Sequence, residues 1–227
     1  MMITIDKSVF EKYPNAKFGI LCIKGFQAVG TSDFIAVKDN EIAIMRNKYN
    51  NYERKNFTLT DPVSHYVCYY KQFKKTYHVL HQLESIILKD KTIPDVEPLV
   101  QAMFLSEVKH MLLTAGHDLD EVQQPLAVSV ANGSERYIGA AGQEIVLAEN
   151  DIYMRDSNGV IVSIIYGPDS NTLITKKTRN AMFFIYGVEG ITRDKIMAEL
   201  EDIFKFLRVF DPKTEATYMD VLQEDAE

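Results

Sequence analysis

Between residues 126 and 187, short apolar runs alternate with turn formers. That spacing predicts strands over Leu126 to Val130, Gln143 to Ala148, Asp151 to Met154, Val160 to Tyr166 and Ala181 to Tyr186. Asn132-Gly133, Asn158-Gly159 and Gly167-Pro168-Asp169-Ser170 supply the turns, because their residues tolerate positive φ or preset the bend. Upstream, the apolar period lengthens to that of helices. Ile42, Met45 and Tyr49 recur at helical spacing within Asp39 to Asn51. Thr60-Asp61-Pro62 reads as the capped start of a second helix running to about Lys75. Val79, Leu80, Leu83, Ile86 and Ile87 stripe a third helix from Thr76. Val96, Leu99, Val100, Met103, Val108, Met111 and Leu112 stripe a fourth, which Gly116 is expected to close beneath the sheet. A last helix opens at Thr192 or Asp194, carries Ile196, Leu200, Ile203, Phe204 and Leu207 on one face, and stops before Asp211-Pro212. Ile3 to Ile5 and Phe18 to Ile23 are strand candidates, with Pro14-Asn15 turning between them.

Helices precede and follow these strands without alternating with them, so the expected fold is α+β, with a mixed, mainly antiparallel sheet flanked by helices. Residues 1–60 are expected to form a strand and helix lobe, either continuous with the body or divided from it near 57–62. Residues 61–210 form the α+β body, and 211–227 an acidic, frayed tail.

Composition narrows the class. A chain of 227 residues, 46% of them hydrophobic, can bury a sizeable core. Its N-terminus lacks a basic start followed by a long apolar run, and no stretch approaches the ~20 apolar residues of a membrane span. A cytoplasmic location without a membrane partner is expected. Cys22 and Cys68, in apolar surroundings and at a spacing foreign to zinc or thioredoxin-like sites, are expected to be reduced core residues. The net charge of −7 argues against a dedicated nucleic-acid binder, and no DNA partner is expected. Yet Arg46, Lys48, Arg54, Lys55, Lys71, Lys74 and Lys75 interleave with Tyr49, Tyr52, Tyr69 and Tyr70. This stretch is either a basic, aromatic face able to touch RNA or a solvated helix face with its tyrosines buried.

Several motifs are rejected. His78-x-x-His81 places two rings near one helix face but has no third ligand at a suggestive distance, so no metal is expected. Gly187 to Arg193 lacks the spacing of a class II synthetase motif. Without a glycine-rich phosphate loop, a Gly-x-Ser-x-Gly elbow or a dinucleotide fingerprint, neither a cofactor nor amino-acid activation is expected.

The order of the landmarks carries more. An apolar run from Leu99 to Leu113 leads into Ala115 to Asp120. Then come Gly142-Gln143-Glu144, Gly167 to Ser170, and Thr178 with Asn180 before an apolar strand. Over roughly residues 76 to 208 this order resembles the B-three/B-four domain, the tRNA-editing module of the phenylalanyl-tRNA synthetase beta subunit, here without the rest of the synthetase. The resemblance implies a freestanding aminoacyl-tRNA deacylase whose partner is an aminoacylated tRNA terminus. It places the substrate against Ala115, Tyr166, Gly167, Asp169 and Ser170. An acid in the family's corresponding turn accepts a hydrogen bond from a misattached tyrosine; leaving such an acceptor unpaired costs about 1–3 kcal/mol. Asp169 is the counterpart, or else it caps a type I turn with Pro168 at its second position. Two departures stand out: Tyr166 replaces a small residue and would narrow the pocket, and Ala115 falls where the family has a pocket histidine. His117 either swings into the same cleft or caps the helix end. Attack by a bound water implies positioning residues, for which Thr114, His117 and Thr172 are candidates, whereas Asp118 and Asp120 are expected to fix a turn. Lys71, Lys74, Lys75, Lys176, Lys177 and Arg179 would meet the acceptor stem. The alternative is a non-catalytic module that uses the same cleft for tRNA or RNA, a free amino acid or a small aromatic ligand. Net acidity favours it.

Overall fold

Every residue from Ala181 to Gly187 is buried, a pattern that only the interior of a sheet covered on both faces accommodates. In the computed structural model, which describes residues 3–224, the chain runs β1 (Ile3–Ile5), α1 (Lys7–Lys12), β2 (Lys17–Lys24), α2 (Ser32–Lys48), α3 (Arg54–Phe57), α4 (Val63–Gln72), α5 (His78–Leu88), α6 (Pro98–His110), β3 (Thr114–Asp118), β4 (Leu126–Val130), β5 (Arg136–Ile138), β6 (Glu144–Val146), β7 (Ile152–Asp156), β8 (Gly159–Ser163), β9 (Gly167–Pro168), β10 (Ala181–Gly187), α7 (Arg193–Phe210) and β11 (Glu215–Leu222). Strand β10 is central in a four-stranded antiparallel sheet ordered β11-β2-β10-β3. A second sheet is ordered β1-β4-β7-β8-β9, with β1 parallel to β4 and the other pairs antiparallel. Strands β5 and β6 form a separate hairpin. The fold is α+β with mostly antiparallel pairing, as the segregated pattern of helices and strands predicts.

Helix α7 covers the four-stranded sheet. Its apolar stripe of Ile196, Leu200, Ile203, Phe206, Leu207 and Phe210 is buried, and Thr192 Oγ1 caps it by accepting the Lys195 N–H. Close seating requires Gly19 on β2, where any Cβ would run into Ile196 Cγ2 and come within 3.3 Å of Leu200 Cδ1. Helix α6 packs against α7. Residues 1–60 supply β1 to one sheet and β2 to the other.

Several expectations are corrected. Helix α6 ends at His110, not Gly116: Met111 adopts the left-handed conformation (φ 57°) and donates its N–H to Glu107 O at 2.7 Å. The apolar run continues past that point because Thr114 to Asp118 is a buried strand paired with β10. The expected strand over 143–148 is three residues long, and β8 stops at Ser163. The first long helix starts at Ser32, ahead of Asp39. Neither Thr60 nor Asp61 caps α4; Pro62 occupies that position, and the Asp61 carboxylate pairs with Lys195. Residues 215–222 are not frayed, because they pair with β2 from Lys24 to Phe18, with a bulge between Ala216 and Tyr218. Cys22 is buried as expected, but Cys68 is exposed. Among the described residues no helix is long and apolar enough to cross a membrane.

Candidate functional site

The amphipathic character of α6 breaks at one position. Val100, Met103 and Phe104 set an apolar stripe whose next member, seven residues after Val100, is Glu107. The helix thus carries a carboxyl into a region that is otherwise apolar, and Glu107 is 1% exposed. Its Oε1 accepts the Thr114 N–H at 3.0 Å and the carboxyl is hydrogen-bonded by Gln82 of α5, while its Oε2 has no hydrogen-bond partner among the described residues. On the other side of Thr114, the hydroxyl donates to Glu199 Oε1 of α7 at 2.6 Å. Burial pushes the Glu107 carboxyl up to about 8, against which the Thr114 and Gln82 hydrogen bonds act only partly. Burial also raises Glu199 well above the carboxylate range, and the neighbouring Glu107 adds to that.

These groups border a cavity of about 250 Å³. Its walls come from α6 (Val100, Met103, Phe104), from Leu113 to Gly116, from Val162 to Ile164, and from Gly167, Pro168, Leu173 and Ile174. Its polar lining is Glu107, Gln82, His78, Thr114, Ser163 and Tyr186. The Gln82 Oε1 and Tyr186 hydroxyl are buried and, like Glu107 Oε2, unpartnered among the described residues. Each such atom carries a desolvation penalty of about 1–3 kcal/mol that a ligand group can relieve. Gly116 belongs here sterically: a Cβ would approach Ile174 Cδ1 at 2.7 Å and Met103 Sδ at 3.1 Å, entering the cavity. The space is smaller than the roughly 300–1,000 Å³ of drug-sized ligand sites and has room for a group about one side chain in size.

Where a cleft is expected between a helix ending at Gly116 and the turn from Gly167 to Asn171, the cavity instead lies between α6, the Leu113 to Gly116 stretch and the turn at Gly167 and Pro168. Ala115, Thr114 and Gly167 line it. Asp169 does not. Its carboxylate turns back on its own loop, accepting the Asn171 N–H at 3.0 Å, the Thr172 N–H at 3.2 Å and the Thr172 hydroxyl at 2.5 Å. This is the turn-capping alternative, and it aims the carboxylate away from the cavity. Thr172 Oγ1 lies 2.7 Å from His117 Nδ1, and His117 is fully buried and held neutral, with burial lowering its pKa to about 4. His117 neither enters the cleft nor caps a helix, because on β3 it points to the Thr172 side. Thr114 lines the cavity with its hydroxyl hydrogen given to Glu199, whereas His117 and Thr172 lie outside it and pair with each other. Tyr166 packs on the small cluster around Tyr137 and Ile145, with Lys75 Nζ 5.6 Å from its ring centre, and does not narrow the cavity. Ser170 lies outside as well, its N–H bonded to Ile138 O at 2.9 Å.

Asp118 and Asp120 fix structure. Thr178 Oγ1 donates to Asp118 Oδ2 at 2.5 Å and Asn180 Nδ2 to Asp120 Oδ1 at 2.8 Å, so two of the sequence landmarks hold each other. Lys176 and Arg179, exposed, line an open polar cleft of about 530 Å³ together with Phe26 to Ala28 and Glu97 to Leu99. Leu99 faces this cleft and Met103 the cavity. Val100 and Ile174, next in the chain to Leu99 and Thr175 of the cleft, line the cavity, so the two spaces adjoin the same helix and loop. Lys177 is exposed nearby. Lys71, Lys74 and Lys75 are exposed at the end of α4, outside the cleft. The tyrosines interleaved with the basic stretch turn inward: Tyr69 and Tyr70 are buried, donating to Asp151 Oδ1 at 2.8 Å and Ile164 O at 2.9 Å. Among the described residues no group of three His, Cys, Asp or Glu side chains is arranged to hold a metal.

Glu107, Gln82 and Tyr186 were missed from sequence. Glu107 left a readable signal, an acid inside an apolar stripe; Gln82 and Tyr186 left none.

An α+β chain with a buried, side-chain-sized cavity between a helix and its central sheet defines the class. The family model of the B3/4 domain matches residues 64–222, and the chain belongs to that family. A solved structure of an N-terminal fragment of the phenylalanyl-tRNA synthetase beta-subunit from Pyrococcus horikoshii is similar at 11% identity and a TM-score of 0.48, covering 96% of this chain. The chain spans 54% of that fragment's length. No curated protein matches the chain.

Proposed function

We propose that this protein acts on aminoacylated tRNA as an editing-type hydrolase, admitting the amino-acid side chain to the 250 Å³ cavity while the tRNA terminus lies in the cleft at Lys176 and Arg179. The carrying observation is that the two spaces adjoin α6 at Leu99 and Val100 and the loop at Ile174 and Thr175. Membership of the B3/4 domain family supports the reading, since the resemblance drawn from the landmarks implies the tRNA-editing module of the phenylalanyl-tRNA synthetase beta subunit.

The cavity supplies no activated nucleophile. Thr114 Oγ1 is committed to Glu199, and Ser163 is hydrogen-bonded to Asp151. The chemistry that remains is attack by water on an ester held in place, where positioning and the hydroxyls of the tRNA terminus lower the barrier. Ala115 and Gly167 line the side-chain space, and Lys176, Lys177 and Arg179 meet phosphates. The test is deacylation of a panel of mischarged tRNAs by wild type and by Gly116→Leu, which fills the cavity next to Ile174 and Met103. Hydrolysis by wild type and its loss in a folded Gly116→Leu protein are expected. Equal rates in both proteins would remove the cavity from the mechanism.

The net charge of −7 favours a second reading, a module that binds a small amino-acid-like ligand without tRNA. Salt separates the two: tRNA binding weakens steeply with salt through counterion release, whereas binding of a zwitterion barely responds.

A further inference from the structure

The polar end of the cavity has a definite chemical complement. Glu107 Oε2 and Gln82 Oε1 belong to two side chains that already touch, both atoms are buried, and neither has a partner among the described residues. The Gln82 carbonyl oxygen can only accept, and Glu107 Oε2 is a second acceptor once its carboxyl gives up its proton in response to an incoming cation's charge. The lining contains no lysine or arginine, and a second buried carboxyl, Glu199, stands behind Thr114. Two buried carboxyls without a cation keep their protons, and a cation entering this end of the cavity lets Glu107 ionise against it, because a buried charge is stable only when paired. The rest of the lining, Val100, Met103, Phe104, Leu173 and Ile174, is apolar and suits methylene groups.

We propose that the cavity takes a primary ammonium group carried at the end of an aliphatic chain, with Glu107 Oε2 and Gln82 Oε1 as its acceptors. An ammonium brings three donors and the compensating charge, a hydroxyl brings one donor and no charge, and a methyl leaves both oxygens unpaired. The inference rests on the cavity being the side-chain site of the proposed function, and it makes the preferred amino acid one whose side chain ends in an amine. A site built around paired acceptors rejects the analogue lacking the donor more strongly than an apolar pocket rejects one methylene.

The test is calorimetric titration of the full chain with the methyl esters of L-lysine, L-6-hydroxynorleucine and L-norleucine, which share the α-amino ester and differ at the chain end. The lysine ester is expected to bind roughly tenfold or more tighter than either analogue. Glu107→Gln abolishes that preference. Gln82→Met, at a half-buried position, reduces it severalfold. The proposal is overturned if the analogues bind as tightly as lysine, if no ester binds, or if both variants keep the preference. Deacylation of tRNA carrying lysine or norleucine separates this inference from the reading beneath it. Preferred binding of the lysine ester without any deacylation leaves the ammonium site standing and sinks the editing reading. Equal hydrolysis of the two charged tRNAs does the reverse.

Discussion

Replacing Glu107 with glutamine should alter the pH dependence of stability. The unfolded chain releases this proton near the ordinary 4.5, whereas burial holds it in the folded protein up to about 8. Below pH 4.5 both states are protonated and the group contributes nothing. As pH rises the folded state binds more protons than the unfolded state, so wild-type stability falls, and the fall ends once the folded carboxyl also ionises. Each unit of difference is worth about 1.4 kcal/mol, so Glu107 alone removes about 2.5 kcal/mol between pH 5 and pH 7. Glutamine keeps an acceptor for the Thr114 N–H and has no proton to hold. The variant should match wild type within about 1 kcal/mol at pH 5 and exceed it by about 2 kcal/mol or more at pH 7. Asp151, pushed up to about 7 by burial, and Glu199 contribute the same sign in both proteins, so the difference between the two curves isolates Glu107 and its coupling to Glu199. Urea unfolding followed by circular dichroism at pH 5, 6, 7 and 8 measures it. Parallel curves would refute the reasoning, since they would mean that Glu107 ionises normally in the folded protein.

Asp169→Ala strips the acceptor from two backbone N–H groups and the Thr172 hydroxyl. It should lower stability by about 2–3 kcal/mol, roughly 5–10 °C in Tm, while leaving the order of substrate preference intact; a changed preference with unchanged Tm would return Asp169 to the pocket. Thr192→Ala removes the cap of α7 and should cost about 1 kcal/mol, read by the same urea titration. Replacing Lys176, Lys177 and Arg179 together with alanine should flatten the dependence of log K for tRNA on log salt by about 2, from ~0.7 per single-strand phosphate contact. Filter binding between 50 and 200 mM salt checks the slope, and an unchanged slope would move the tRNA elsewhere.

Local signals made most elements legible. The stripe of α7 and its Thr192 cap, the strands β4, β7 and β10, and the α+β segregation all follow from periodicity and turn chemistry over fewer than twenty residues each. The end of α6 was not legible because Met111 takes a left-handed conformation usually given to glycine, and nothing in Leu112 to Gly116 distinguishes an apolar helix turn from a buried strand. Strand β11 was hidden for a different reason. Its register is set by β2, about two hundred residues away, and its polar residues read as a solvated tail until that partner is known. At the site, the backbone walls of Ala115 and Gly167 were anticipated from the landmarks, but the polar end was not. Glu107 and Gln82 sit on helices whose mutual placement no local pattern reports.

The acids of this fold divide by how completely they are satisfied. Asp169 accepts three hydrogen bonds, Asp118 accepts from Thr178 Oγ1 and the Asp120 N–H, and Asp156 accepts from the Gln123, Asn158 and Gly159 N–H groups. These carboxylates are paid in full by the loops they tie, and replacing one loosens a loop. Glu107 differs in kind: it is as buried as any of them, yet one oxygen is left without a partner beside a cavity and beside a second unpartnered acceptor. A buried group in that state lowers stability at neutral pH, and an apolar or amide side chain at the same place would not. Where a fold retains such a group, function is the first physical account to test. Asp118, Asp156 and Asp169 hold loops in place, and the acid that breaks the stripe of α6 is the one that meets the cavity with an oxygen lacking a partner among the described residues.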